Sequence, residues 1–255
     1  VTGKWKQKGA GALYSNAGVY PLDLTMIMGL DVLDKSTRML DQSRLGPILV
    51  GEEDALEGGP PVGAMIIQNT NPMVVCPELG KVHDGFRRDD LFVCVHEQFM
   101  TETAAMADIV LPATTFLEHE DLYIAGGHTH LFVTKPVIEP LGECRSNHAV
   151  LRGLAKRLGC DHPGFLMTDW EIIDRTLQDS GLPDAETLHA ERWTDFAPKF
   201  EESHFLNGFG HADKKFHFKA DWAGVGKTPE GVPTMPGHFE AIEEADADQI
   251  GRAHV

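Results

Sequence analysis

The chain reads as an α/β fold built on half of a doubly wound parallel sheet, and three observations carry that reading. Short apolar, β-branched runs recur at Ala64 to Ile67, Leu91 to Val95 and Ile109 to Leu111, each the length of a buried strand. Helix-compatible segments separate them. Pro77 to Arg88 has apolar residues at Leu79, Val82 and Phe86, and Glu102 to Ala107 follows a capping Thr101. Each run closes on polar or turn-forming residues, so 64–111 spells βαβαβ.

The elements follow in order. Residues 1–20 are rich in small residues, and Gly9-Ala-Gly11 follows no strand and lacks a third glycine, so it falls short of a dinucleotide fingerprint and reads as an irregular loop. Leu22 to Leu30 fits a short apolar helix, while 34–61 alternates polar residues with Gly and Pro and ends at Gly58-Gly-Pro-Pro61. Asn and Pro directly after the first strand, at 69–72, make a turn. Asp108 ends the short helix and Pro112 stops the third strand. Ser146 or Asn147 caps a helix carrying Val150, Leu151, Leu154 and Leu158, closed by Gly159. Thr168 and Glu171 spell a capping box for a helix to Ser180 with Gly181 as its stop, and Asp184 to Trp193 follows as another helix. Phe216, Phe218 and Trp222 alternate, and Glu240 to Asp248 reads as a short helix or a solvated acidic tail. No internal repeat is seen. The expected division is 1–61 as lead-in, 62–160 as the sheet domain and 161–255 as a helical extension and linker.

Composition narrows the partners. With 39 acidic against 22 basic side chains in 255 residues, the formal charge is −17, a surface that repels nucleic acid and anionic membranes. No apolar run approaches the roughly 20 residues that span a bilayer. No basic-then-apolar signal opens the chain, and it begins at Val1, so a mature or truncated chain is expected. Cys76, Cys94, Cys144 and Cys160 are scattered without a CxxC pair, Cys94 reads as a core residue, and a disulfide scaffold is not expected.

In open α/β sheets ligands sit beyond the carboxyl ends of the strands. Here those ends are Gln68 to Asn71, His96-Glu97 and Pro112 to Thr115, polar tips suited to a nucleotide's base and ribose. Glu97 suits ribose hydroxyls or the amino and imino protons of guanine. The plainer reading is that these are ordinary polar loop residues. Glu118, His119, Glu120, Asp121, His128 and His130 hold enough donors for a metal site, and Glu118, His119, His128 and His130 would serve a metallohydrolase. Against it, the His-x-His pair adjoins a Gly-Gly turn, where exposed polar residues are common.

Taken together, Asn69-Thr-Asn-Pro72, His96-Glu-Gln-Phe-Met-Thr-Glu-Thr-Ala104, Ala107-Asp-Ile-Val-Leu-Pro-Ala-Thr-Thr115, Leu117-Glu-His119 and Pro140-Leu-Gly-Glu-Cys-Arg-Ser-Asn147 resemble the molybdopterin oxidoreductase superfamily, the dimethyl sulfoxide reductase-type enzymes. The resemblance is strongest over 62–160. It implies a Rossmann-like third domain of the formate dehydrogenase and dimethyl sulfoxide reductase type, and a bis-(molybdopterin guanine dinucleotide) cofactor carrying molybdenum or tungsten. It places Asn69 or Asn71 near the pterin–phosphate end, His96 and Glu97 at the guanosine, and Thr101 among the cofactor-contacting residues. His119 and Asn147 match two further contacting positions, where relatives have lysine and aspartate. No catalytic residue or metal ligand is expected within this chain. The resemblance implies that the molybdenum ligand, an iron–sulfur cluster found in many members and a C-terminal β-barrel lie outside it. The chain is thus expected to be a fragment, inactive alone, of a bacterial enzyme in the cytoplasm or periplasm. Its expected partners are the rest of that polypeptide, an electron-transfer subunit and a small-molecule substrate. The alternative within the superfamily is a non-catalytic structural member, against which the polar tips Asn71, Glu97 and Asn147 argue.

Overall fold

The three expected strands form one parallel sheet in the order β1-β2-β3: β1 is Ala64–Gln68, β2 Phe92–Glu97 and β3 Ile109–Pro112. A computed structural model describes residues 7–8, 16–219, 221 and 235. The expectations for Gly9-Ala-Gly11, for Trp222 and for the acidic run 240–248 lie outside the described residues. The chain divides into two compact units, 15–197 and a second comprising 1–14 with 198–255; the sheets and the candidate site belong to the first.

Register explains the pattern of burial. Ile67 pairs with Val95 and Val95 with Val110, so these side chains share a face. That face packs on Met73, Val82, Phe86 and Ala104 of the crossover segments. The helix expected at 77–88 is α4 Leu79–Phe86, which starts later because Glu78 adopts φ 53, and a short helix not expected from the sequence, α3 Pro72–Val75, precedes it, with Pro77 between them. The second crossover is α5 Glu102–Ala105, capped as expected by the Thr101 hydroxyl, which accepts from the Ala104 N–H at 3.2 Å. Asp108 does more than end this helix: its carboxylate accepts the Val93 N–H at 2.7 Å, joining the start of β3 to β2.

Two segments before the sheet differ from expectation. The helix expected at 22–30 is only α1 Thr25–Met28, and Gly29 at φ 60 unwinds it. Within the Gly/Pro-rich 34–61 of the lead-in, where no particular helix was expected, lies α2 Leu45–Val50, which packs on α4. The approach rests on Gly85, where a Cβ would stand 2.2 Å from the Cβ of Leu49. Gly46 and Pro47 masked this helix in the sequence, since both residues usually punctuate.

A second sheet was not read from the sequence. Asp121–Tyr123, His130–Thr134 and Thr194–Asp195 (β4, β5 and β6) are antiparallel neighbours in that order. Leu131 and Val133 of β5 enter a core with Tyr20, Ile173, Leu177, Ala185 and Leu188. The Tyr20 hydroxyl donates to the His128 carbonyl at 2.7 Å, tying the chain's start to this hairpin. Three helices follow: Asn147–Leu158, then Asp169–Asp179 with the expected capping box at Thr168 and Glu171, and Ala185–Glu191 capped by Asp184. This core runs across the expected border at 160, since its strand precedes the border and its helices follow it.

Candidate functional site

The carboxyl ends of the three parallel strands meet around a cleft of about 600 Å³. Asn69 follows β1 in the left-handed region, φ 51, which asparagine tolerates better than most residues. Its N–H donates to the His96 carbonyl at 3.1 Å, and its side-chain amide donates to Oδ1 of Asn147 at 3.3 Å. Gln98, just past β2, donates to the Thr114 carbonyl at 2.9 Å. The Thr114 hydroxyl and Nδ1 of His119 share a hydrogen bond at 2.8 Å, and Nε2 faces Asp121 at 3.5 Å. Asn69, Gln98, Thr114, His119 and Asn147 all line the cleft.

The other expected residues sit differently. His96 is wholly buried: Gln68 donates to its Nδ1 at 3.2 Å and its Nε2 donates to the Arg145 carbonyl at 3.1 Å. Both ring nitrogens therefore pin β1 and β2 to the 140s segment. Asn71 donates to Glu102 at 2.8 Å, and its carbonyl oxygen accepts from the Thr103 hydroxyl at 2.7 Å and the Thr103 N–H at 3.3 Å. It braces the tip of β1 against α5. Thr101 is spent on its helix cap, and Glu97 accepts the Gln98 N–H at 2.7 Å. None of these four lines the cleft.

Gln98 and Thr114 are functional candidates that the sequence reading passed over. Thr114 lies within the named tip at 112–115, and Gln98 within the His96–Ala104 motif, but neither was singled out as a site residue. A carboxylate rim was also missed as a unit: Glu120, Asp121 and Asp169 line the cleft, Asp169 arriving from the helix 169–179. Burial pushes the Glu120 carboxyl up, and Asp169 beside it adds to the rise. Burial also raises the Tyr123 phenol, with Asp121 contributing. No lysine or arginine is among the described residues lining the cleft.

The hydrolase set does not converge. Glu118 is buried, its carboxylate accepting from the Thr115 N–H at 2.7 Å, the Thr115 hydroxyl at 2.9 Å and the Leu141 N–H at 2.8 Å. These bonds, led by the Thr115 N–H, hold its carboxyl below the usual glutamate range. His128 and His130 stack on each other at 5.3 Å, and His119 is held by Thr114. Among the described residues no group of three or more His, Cys, Asp or Glu is placed to hold a metal ion.

A parallel βαβαβ sheet with a polar cleft at its strand tips defines a Rossmann-like α/β domain. Residues 53–157 match the family described as molybdopterin oxidoreductase. The resemblance to the molybdopterin oxidoreductase superfamily read from the sequence is thereby met over that segment. Over 175 residues it is 41% identical to the "Probable oxidoreductase YoaE" of Bacillus subtilis (strain 168), covering 68% of this chain and 24% of the relative. Over 122 residues it is 30% identical to the trimethylamine-N-oxide reductase of Salmonella typhi, covering 44% and 14%. Acetylene hydratase from Pelobacter acetylenicus has a similar fold, with TM-score 0.59 and 21% identity over 84% of this chain and 28% of that one. The chain thus spans about a quarter or less of the length of these curated relatives.

Proposed function

We propose that this chain holds the guanine nucleoside end of a molybdopterin guanine dinucleotide within a molybdenum or tungsten oxidoreductase. The observation that carries the reading is the single cleft into which all three strand tips, and the start of the helix at Asn147, direct hydrogen-bonding side chains. The donor set suits a guanine base and ribose. The amides of Gln98, Asn69 and Asn147 match the base's carbonyl and ring-nitrogen acceptors, and the carboxylates of Glu120, Asp121 and Asp169 match its imino and amino protons and the ribose hydroxyls. It suits a pyrophosphate poorly, because three carboxylates and no Lys or Arg line the described wall. The phosphate and pterin ends are therefore assigned to groups other than this described wall.

When bound, the molybdenum or tungsten dithiolene group supplies the oxygen-atom or hydride and electron transfer. The chain's own residues bind and orient. Asn71, His96 and Thr101 hold the tips in place, and Gln98, Thr114, His119 and Asn147 present their polar atoms to the cleft. His119, held by Thr114 and facing Asp121, is fixed in position on the cleft wall. None of these residues carries the reaction, so the 255-residue chain alone is expected to show no turnover. The substrate is set elsewhere in the parent enzyme, as are the iron–sulfur relay and the electron-transfer subunit that the superfamily resemblance implies.

The test is metal and pterin analysis of the longer native polypeptide containing this chain, in wild type and in Gln98→Ala and Asn147→Ala variants. The expected result is molybdenum or tungsten with pterin in the wild type. Each lost neutral hydrogen bond should weaken retention by roughly 2- to 10-fold. A metal-free, pterin-free polypeptide would overturn the reading and favour the non-catalytic structural member.

A further inference from the structure

We infer that Phe116 is the stacking platform of the cleft: its ring lies against the face of the bound purine while the amides of Gln98, Asn69 and Asn147 meet the purine's edge. This rests on the nucleoside reading and adds to it the residue that grips the ring.

The first observation is the turn that carries Phe116. The Glu118 N–H donates to the Thr115 carbonyl at 2.9 Å, closing a β-turn over Phe116 and Leu117. One oxygen of the Glu118 carboxylate takes the Thr115 N–H at 2.7 Å and the Thr115 hydroxyl at 2.9 Å, and the other takes the Leu141 N–H at 2.8 Å. On the far side the Leu117 carbonyl accepts the Val137 N–H at 2.8 Å and the Ile138 N–H at 3.2 Å. The turn is thus braced at its start, its end and its centre.

The second observation is what the brace presents. Phe116 is 65% exposed and belongs to none of the buried clusters, yet its side chain lines the cleft. None of the bonds that fix the turn depends on the identity of residue 116, so the brace would work as well with a polar side chain there. A flat apolar ring on a rigid mount has little freedom left to lose when another ring settles on it, which is the advantage of preorganisation. Tyr123 also lines the cleft, but it already stacks on Phe132 at 5.1 Å.

The third is the company the ring keeps. Thr114 and His119 flank the turn and line the same cleft, and the Thr114 carbonyl anchors the Gln98 amide at 2.9 Å. Leu24 and Ile27 add apolar wall. A base held outside a duplex is gripped in just two ways, by stacking of its face on an aromatic ring or an arginine plane and by hydrogen bonds to its edge. No arginine is among the described lining residues, so the face falls to Phe116. Stacking is tolerant of base identity, so Phe116 sets the overall affinity and the edge groups set the choice of base.

The experiment is titration with guanosine and with adenosine of the longer native polypeptide that contains this chain, isolated without cofactor, as wild type, Phe116→Ala and Phe116→Tyr. Dissociation constants and the NMR shift of the bound base's H8 proton are read together. In the wild type, ring current from the stacked phenyl group should move H8 upfield. Phe116→Ala should weaken both nucleosides by the same factor, roughly 5- to 100-fold, and abolish the upfield shift. Phe116→Tyr keeps the ring and should keep both the affinity and the shift. Because the side chain is exposed, the alanine variant should melt with the wild type. A wild type that binds neither nucleoside would refute the nucleoside reading and this inference with it. A wild type that binds guanosine, beside an alanine variant that binds it as tightly, would overturn the stacking role alone. A loss confined to guanosine would overturn it in favour of an edge contact made by the turn. An alanine variant melting several degrees lower would overturn it in favour of a packing role for the ring.

Discussion

Replacing Thr103 with valine removes one hydroxyl and keeps the shape of the side chain. In the structure that hydroxyl is fully buried, donates to Oδ1 of Asn71 at 2.7 Å and accepts the Met73 N–H at 3.1 Å. Met73 lies in the first turn of α3, so its N–H has no partner within its own helix. Valine forfeits a bond of about 1 kcal/mol and leaves that buried N–H unpaired at about 1–3 kcal/mol more. Thr103→Ser keeps both bonds and loses only a methyl group, about 1 kcal/mol. The expected order is wild type, then serine, then valine, with valine lower by about 2–4 kcal/mol. For a unit of this size a 3 kcal/mol loss lowers the melting midpoint by roughly 6–12 °C. Urea denaturation followed by circular dichroism, with thermal melts alongside, measures both. A valine variant as stable as the serine variant would refute the argument that this hydroxyl ties the two crossover helices to the tip of β1.

Three further outcomes follow from packing and charge. Gly85→Ala places a Cβ 2.2 Å from the Cβ of Leu49, an atom that cannot rotate away, so denaturation should show a loss of about 1–3 kcal/mol or more. Glu118→Gln should be less stable than wild type at neutral pH. Because the folded-state carboxyl titrates below its ordinary value, its contribution is complete above the normal glutamate range and lost as pH falls through the lowered value; the two proteins' unfolding curves should therefore converge in acid. Glu120→Gln should behave oppositely. Burial and Asp169 raise this carboxyl, so its ionisation opposes folding at neutral pH; the variant should be the more stable at pH 7, with the gap closing as pH falls through the raised value. A Glu120→Gln protein less stable than wild type at pH 7 would remove Glu120 as a strained member of the rim.

How far the sequence could be read depended on where the signal is local. The parallel strands announced themselves because both crossovers are short and the strands are nearly continuous apolar runs. The caps at Thr101, Ser146 and Thr168 were legible because each is a single residue bonding an N–H three positions on. The helix at 45–50 was hidden by Gly46 and Pro47, whose value is packing on α4 rather than propensity. The second sheet was hidden because β5 alternates His130, Phe132 and Thr134 with Leu131 and Val133, and its histidines drew the eye as candidate ligands while its leucine and valine built the core. The acidic rim was out of reach altogether, since Asp169 joins Glu120 and Asp121 only through packing of the helix 169–179 near β4.

The candidate site shows the same division at finer grain. Motif residues named the right loops, but within each loop the hydrogen bonds sort side chains into braces and presenters. His96, Asn71 and Thr101 are consumed by neighbours, whereas Gln98, Thr114 and Asn147 reach the cleft. A strand tip must do both jobs, because a polar loop with every side chain aimed at a ligand would leave its own backbone and the adjoining helix starts unsupported. Position alone does not tell the two roles apart. They separate only when partners are known, and they predict different failures. Removing a brace should lower stability and ligand retention together, as Thr103→Val does through Asn71. Removing a presenter such as Asn147, which is exposed at the start of its helix and whose amide oxygen accepts from Asn69 at 3.3 Å, should lower retention while leaving unfolding nearly unchanged.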